Sequence, residues 1–193
     1  MDRFFLKKIQ NLSTYIPSDS TMELLFESTE EITLSPREIL IGYGMTDPSL
    51  YIVKDGLLQL LYFDGEKEVT FGFAFPETIL CSPHCLYMHQ PSLLQIEACK
   101  ISTSLLKVRE EKLNLLLEKS HDFAQWMFNI ALGQFYYSEL KMTSISGHTE
   151  EKYKNLLKIR PDIINAVSAN RLASYLGVTP SWFCKLRKKM LYE

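Results

Sequence analysis

The stretch that decides the fold lies near the C-terminus: Ala169-Asn170-Arg171-Leu172-Ala173-Ser174-Tyr175-Leu176-Gly177-Val178-Thr179-Pro180-Ser181-Trp182-Phe183-Cys184-Lys185-Leu186-Arg187-Lys188-Lys189-Met190. Its pattern is that of a helix-turn-helix. Two helices that cross steeply need a small residue at the contact, and Ala173 provides it. The turn after the first helix needs left-handed backbone geometry, which Gly177 adopts without the steric cost of a Cβ. Leu172, Leu176 and Val178 then face inward, as do Phe183 and Leu186 on the second helix. Thr179 suits the N-cap, and Pro180 at the first helical position has no intrahelical N–H bond to lose.

A unit of this kind lays its second helix in the major groove of double-stranded DNA, with the N-terminal half against base edges. The candidate DNA contacts are therefore Thr179, Ser181, Trp182, Cys184, Lys185, Arg187, Lys188 and Lys189. Lys185 suits guanine O6 and N7, although a point charge specifies less tightly than the forked guanidinium of arginine. Arg187, Lys188 and Lys189 suit phosphates, which supply affinity and salt dependence without sequence information. Ser181 can bond to base or phosphate. Trp182 either stacks on the DNA backbone or packs against the preceding helix, and Cys184 reads as a small space-filler.

The charge distribution agrees. The 193 residues carry 21 Lys and Arg against 23 Asp and Glu, a net charge of −2 that taken alone argues against a polyanion partner. Residues 1–147 hold 12 basic and 19 acidic side chains, a balance of −7, whereas 148–193 hold nine and four, a balance of +5. Halves of opposite sign point to separate modules with separate partners. The composition, 46% hydrophobic and 23% charged, is that of folded domains. No apolar run reaches the roughly 18 residues that span a bilayer, and Met1-Asp2-Arg3 does not begin a secretory signal. A cytoplasmic protein without a membrane partner is expected.

Upstream of this unit, Ile32 to about Lys107 is β-like, with short apolar runs broken by turn residues. Asp55-Gly56 and Asp64-Gly65, nine residues apart, read as hairpin turns in a meander of antiparallel strands, as in a small sandwich or barrel. The first 30 residues look helical, with Phe4, Phe5, Ile9 and Leu12 on one face. From Arg109 the pattern is helical again. Phe123, Met127, Ile130, Gln134, Tyr137 and Lys141 recur at alternating steps of four and three, the seam of a two-helix packing. Either this helix pairs with its copy, making Phe123, Met127, Ile130, Gln134 and Tyr137 a dimer interface, or the same face lies on its own domain's core. Ser144 to Thr149 reads as a linker. The expected divisions are 1–118, 119–146 and 147–193.

Glu151-Lys152-Tyr153-Lys154-Asn155-Leu156-Leu157, Arg160-Pro161 and Leu172 to Pro180 together resemble the C-terminal domain of CRP/FNR-type transcription regulators, in the branch common in Bacteroidetes. The upstream textures fit the same family, so the resemblance covers nearly the whole chain. It implies an α+β fold: a cyclic-nucleotide-binding-like β-roll of jelly-roll type, a long dimerisation helix and a C-terminal winged helix-turn-helix. The wing is expected to be trimmed, because Asp162 to Ser168 is too short for a full hairpin and Glu193 follows the recognition helix closely. The resemblance further implies a homodimeric DNA-binding regulator, a small-molecule effector in the β-roll and RNA polymerase as a further partner. The alternative is a sensor whose C-terminal helices bind a protein instead of DNA.

Two departures from the family bear on function. Its recognition helix often carries Glu-x-x-Ser-Arg, where this chain has Ser181, Cys184 and Lys185, so the operator does not carry over. Cyclic-nucleotide binders of this fold use Gly-Glu for the ribose and an Arg for the phosphate. Here no Lys or Arg lies between Lys67 and Lys100, and no Gly lies in Pro76 to Ser92. Burying a phosphate anion without a cation or helix N-terminus is costly, so cAMP and cGMP are not expected as ligands. An apolar or aromatic effector, or none, is expected, in a pocket drawn from Phe73, Glu77, Cys81, His84, Tyr87 and Met127.

Cys81, His84, Cys85 and His89 have the spacing of soft metal ligands. Pro83 among them and the lack of a paired C-x-x-C favour packing, so neither metal nor other cofactor is expected. Cys99 reads as core. The chain has no Gly-rich phosphate loop, G-x-S-x-G or H-E-x-x-H. Its adjacent acids, Glu30-Glu31 and Glu110-Glu111, point apart on any regular element, so an enzyme is not expected.

Overall fold

A computed structural model describes residues 3–143 and 149–190. Helices α1 (Arg3–Gln10) and α2 (Asp19–Glu27) precede strands β1 (Thr29–Leu34), β2 (Ile39–Ile41), β3 (Leu50–Asp55), β4 (Leu58–Asp64), β5 (Lys67–Ala74) and β6 (Ile79–Leu80). The one-turn helix α3 (Pro83–Leu86) leads to β7 (Gln95–Ala98) and β8 (Thr103–Val108). Helices α4 (Glu110–Lys119) and α5 (His121–Thr143) follow. The C-terminal unit holds α6 (Thr149–Ile159), α7 (Ile163–Ala166), α8 (Ala169–Tyr175) and α9 (Pro180–Met190).

The strands form two antiparallel sheets, ordered β1-β8-β3-β6 and β2-β7-β4-β5. Tyr51, Val53 and Leu105 of the first meet Ile41, Leu58 and Ile96 of the second in one core, as in a jelly roll. Strand β3 is buried on both faces: Leu50 and Ile52, pointing the other way, meet α1, α2, α4 and α5 in a second core with Ile9, Met22, Leu113 and Trp126.

The two Asp-Gly pairs have different fates. Strands β4 and β5 do form a hairpin, with Asp64 opposite Lys67. Its positive φ falls on Gly65 and not on Glu66, which matches the first position of a type II′ turn. Asp55-Gly56, however, is no hairpin, because β3 and β4 belong to different sheets. Gly56, at φ 92°, carries the chain from one sheet to the other, and a Cβ there would lie 2.6 Å from the Ser102 carbonyl oxygen. A dipeptide that permits positive φ announces a sharp turn, and the pairing on either side has to come from elsewhere.

The face assignment on α5 is also corrected. Phe123 is fully buried in its own domain's core, its ring 5.8 Å from that of Trp126, and Met127 and Ile130 pack against the same cluster. Phe123 is therefore not available to a partner chain. The apolar residues that α5 leaves exposed are instead Phe128, Leu132 and Phe135, at 59%, 51% and 79% exposure, with Tyr136 and Tyr137 beyond them. Phe4, expected on the buried face of the first helix, is exposed, with the Lys8 ammonium 4.8 Å above its ring. Among the described residues no strand follows Val108, and α7 stands where a trimmed wing was expected. The side chain of Lys141 and the linker positions 144–148 lie outside the described residues.

Asp122, in the first turn of α5, fastens the N-terminal helices to this frame. Its carboxylate accepts hydrogen bonds from Tyr15 Oη (2.6 Å), Thr21 Oγ1 (2.7 Å), and Ser18 N and Oγ (2.8 Å each). These donors hold its carboxyl well below the usual carboxylate range. A depressed carboxyl adds stability that is complete above its unfolded-state pKa and is lost as pH falls through the lower folded value. Asp122→Asn is thus expected to cost about 1–2 kcal/mol at pH 7 in urea denaturation, allowing for the solvent at this site. The difference from the parent protein should shrink as the medium is acidified below pH ~4. A pH-independent difference would assign the effect to packing.

Candidate nucleic-acid interface and effector cavity

The helix-turn-helix is built by local chemistry. Ser168 caps α8, its Oγ accepting from Arg171 N at 3.3 Å. The helix ends in a Schellman motif: Gly177, at φ 71°, donates to Ser174 O, and Val178 N donates to Ala173 O, each at 3.0 Å. Thr179 Oγ1 then caps α9 by accepting from Trp182 N at 3.3 Å. Leu172, Ala173 and Phe183 are fully buried, and the Tyr153 ring of α6 meets Phe183 edge-on at 5.0 Å.

The outward face of α9 carries the expected residues. Thr179, Ser181, Trp182, Cys184, Lys185, Lys188 and Lys189 are exposed, and Arg187 is half-buried. Trp182 stands outside the buried core of the unit, which favours stacking on a partner over internal packing. Thr179 and Ser181 pair their hydroxyls at 3.2 Å. Lys189 Nζ rests 3.0 Å from Glu150 of α6, a carboxylate also held by Lys154, so part of its charge is already compensated.

The unit is seated on the β-roll through α8. Thr70 N of β5 donates to Ser174 Oγ at 2.9 Å, and the Phe73 and Tyr175 rings lie 5.2 Å apart. Arg171 pairs with Glu68 and lies 4.0 Å from Glu97. Leu57 and Cys99 of the roll are buried in the same cluster as Leu172 and Phe183, and burial pushes the Cys99 thiol up to about 12. None of these contacts was expected from the sequence, because each joins residues far apart in the chain.

A cavity of about 820 Å³ lies between the roll, α5 and the C-terminal unit. Of the expected pocket residues, Phe73, Cys81 and Met127 line it, joined by Ile130 and Gln134 of the supposed dimer seam. Glu77, His84 and Tyr87 do not. Glu77 pairs with Lys8 at 2.6 Å, His84 Nδ1 lies 2.7 Å from the Pro91 carbonyl oxygen, and Tyr87 is 83% exposed. Lys152, Tyr175 and Leu176 of the C-terminal unit, not expected from the sequence, close the cavity.

The Cys/His cluster disperses. Cys85 is buried, with its thiol 3.6 Å from Met45 O, and the exposed His89 faces Glu110 at 3.6 Å. Burial lifts the Cys81 thiol to about 11, which keeps it protonated and a poor ligand. No three His, Cys, Asp or Glu side chains converge on a metal-sized site among the described residues.

No family model matches the chain, and no curated protein matches it. Solved structures do. FixK2 from Bradyrhizobium japonicum superposes with a TM-score of 0.70 at 16% identity, over 85% of each chain. A transcriptional regulator described as of the crp/fnr family, from Eubacterium rectale, gives 0.66 at 15% identity, over 91% of this chain and 84% of that one. This is the CRP/FNR fold. A further CRP/FNR-fold relative in shape is CLP of Xanthomonas campestris, described as a c-di-GMP responsive global regulator. It gives 0.69 at 14% identity, over 91% of this chain and 92% of that one. Identities this low carry the CRP/FNR arrangement of roll, long helix and helix-turn-helix, and leave ligand and operator to the residues themselves. Among the described residues no helix is long and apolar enough to cross a membrane.

Proposed function

We propose that the protein is a DNA-binding transcription regulator of the CRP/FNR type. The reading rests on one observation: a capped second helix of a helix-turn-helix presents Lys185, Lys188 and Trp182 to solvent on the basic part of the chain. It acts as a homodimer joined along the exposed face of α5, so that two α9 helices reach successive major grooves about 34 Å apart. RNA polymerase is a further partner under this reading, and the cytoplasm its compartment. The chain has no catalytic role.

The effector has an apolar body. Leu60, Phe71, Ile79 and Ile130 dominate the cavity wall, and the roll lends it no cation. The roll offers a ribose and cyclic phosphate neither converging donors nor an acidic acceptor, so cAMP and cGMP are not ligands.

The DNA reading is tested by selecting duplexes from a random pool and measuring anisotropy across salt. Neutralising six phosphates makes affinity fall about 10³-fold between 50 and 200 mM salt. Lys185→Ala is expected to weaken the selected duplex by roughly 10-fold and to relax its preference at one base pair. A protein that selects no duplex while retaining its fold would favour a protein partner for these helices.

A further inference from the structure

The cavity described above has an uneven chemistry. Its walls from β4, β5, β6 and α5 are apolar, and its neutral polar groups include Gln134 and Ser138, one turn apart on α5. Among the described residues that line it, a single one is charged: Lys152. None of those described residues is acidic. Lys152 belongs to α6, and Tyr175 and Leu176 to α8, so the DNA-binding unit provides both the cation and part of the lid. No ion pair engages Lys152 among the described residues.

We infer that this cavity takes an apolar carboxylate, an alkyl or aryl body against the roll and α5 with its anionic head on Lys152. Lys152 is exposed at the rim of this otherwise apolar space, where its ammonium attracts one negative charge, and no acid competes among the described lining residues. The volume falls within the range that encloses a drug-sized molecule. A cyclic nucleotide is also an anion, but its ribose and phosphate need several converging donors and an acidic acceptor, and one flexible lysine supplies neither. A cation or a zwitterion is disfavoured because its positive end finds no partner.

The inference rests on the regulator reading only in naming this cavity as the effector site. Its consequence is direct coupling. A ligand whose body touches β5 and α5 and whose head touches α6 contacts sensor and DNA-binding unit at once. If those contacts differ between two seatings of the unit, occupancy shifts the balance between them.

Isothermal titration of the full chain at pH 7, without DNA, provides the test. The probes are decanoate, 2-naphthoate, 1-decanol, decylamine and cAMP. Decanoate is expected to bind about tenfold more tightly than decanol, equivalent to about 1.4 kcal/mol. Comparing decanoate with naphthoate separates an alkyl from an aryl body. Lys152→Ala should erase the preference for decanoate over decanol while leaving decanol's affinity unchanged. Lys152→Glu should make decylamine the tightest probe, and Ala131→Trp, which fills the cavity from α5, should weaken all of them. The inference is overturned if decanol matches decanoate in the parent protein, if Lys152→Ala keeps the preference, or if cAMP binds as tightly as either carboxylate. A protein that selects DNA but binds neither carboxylate overturns this inference alone. One that binds a carboxylate but selects no duplex overturns the regulator reading alone.

Discussion

Phe135→Glu is expected to convert the protein from a dimer to a monomer at micromolar concentration, and with that to reduce operator affinity by 10²-fold or more. The cause lies in the outward face of α5. Phe128, Leu132 and Phe135 recur at steps of four and three, each more than half exposed, so a single chain leaves three large apolar side chains in one stripe. Burying each against a second copy contributes roughly 1.5–3 kcal/mol. Placing a carboxylate at the most exposed of them removes one such contribution and adds the cost of an unpaired charge in the interface. Because Phe135 lies outside every core cluster, the circular dichroism spectrum and thermal midpoint of the monomer should stay close to the parent's. Light scattering after gel filtration reads the mass. A dimer that survives Phe135→Glu and Phe128→Glu together would place the interface on another face.

The choice of face on α5 shows where the sequence runs out. The series Phe123, Met127, Ile130, Gln134 and the series Phe128, Leu132, Phe135 obey the same spacing rule, since the helix is apolar around much of its circumference. Periodicity says that a helix forms, but which stripe turns inward depends on the sheet it lies on. Here Leu50, Ile52, Leu106 and Val108 of β3 and β8 take Phe123 and Trp126. The Asp55-Gly56 turn was misread for a related reason: the dipeptide specifies local φ, whereas its strands' partners lie dozens of residues away.

The helix-turn-helix was legible because all its determinants, from Ser168 through Gly177 to Thr179, sit within a dozen residues and act on neighbouring backbone. The cavity beside α5 was legible only in part. Phe73, Cys81 and Met127 were found through the family resemblance, while Lys152 was not, because its approach depends on how one unit is seated on another. Arg171 and Ser174 escaped for the same reason. They lie on the first helix of the helix-turn-helix and hold it to Glu68 and Thr70.

That seating bears on a second large effect, expected for Phe183→Ala. The unit from Thr149 to Met190 is too small to bury much surface alone, and its core turns on one aromatic side chain. Phe183 is fully buried, contacts the Tyr153 ring and shares a cluster with Leu172 and Leu186. Truncation to alanine leaves a cavity among three helices and costs about 3–5 kcal/mol, comparable with the whole stability of so small a unit. Hydrogen exchange is expected to show lost protection in α8 and α9 with the β-roll unchanged, together with loss of more than 100-fold in DNA affinity. Trp182→Ala provides the contrast. Its neighbour in sequence points outward, so the thermal midpoint should shift little while DNA affinity falls, as stacking contacts worth about 1–3 kcal/mol would require. Equal effects of the two substitutions on stability would mean that Trp182 packs inward after all, and the outward face of α9 would then have to be redrawn.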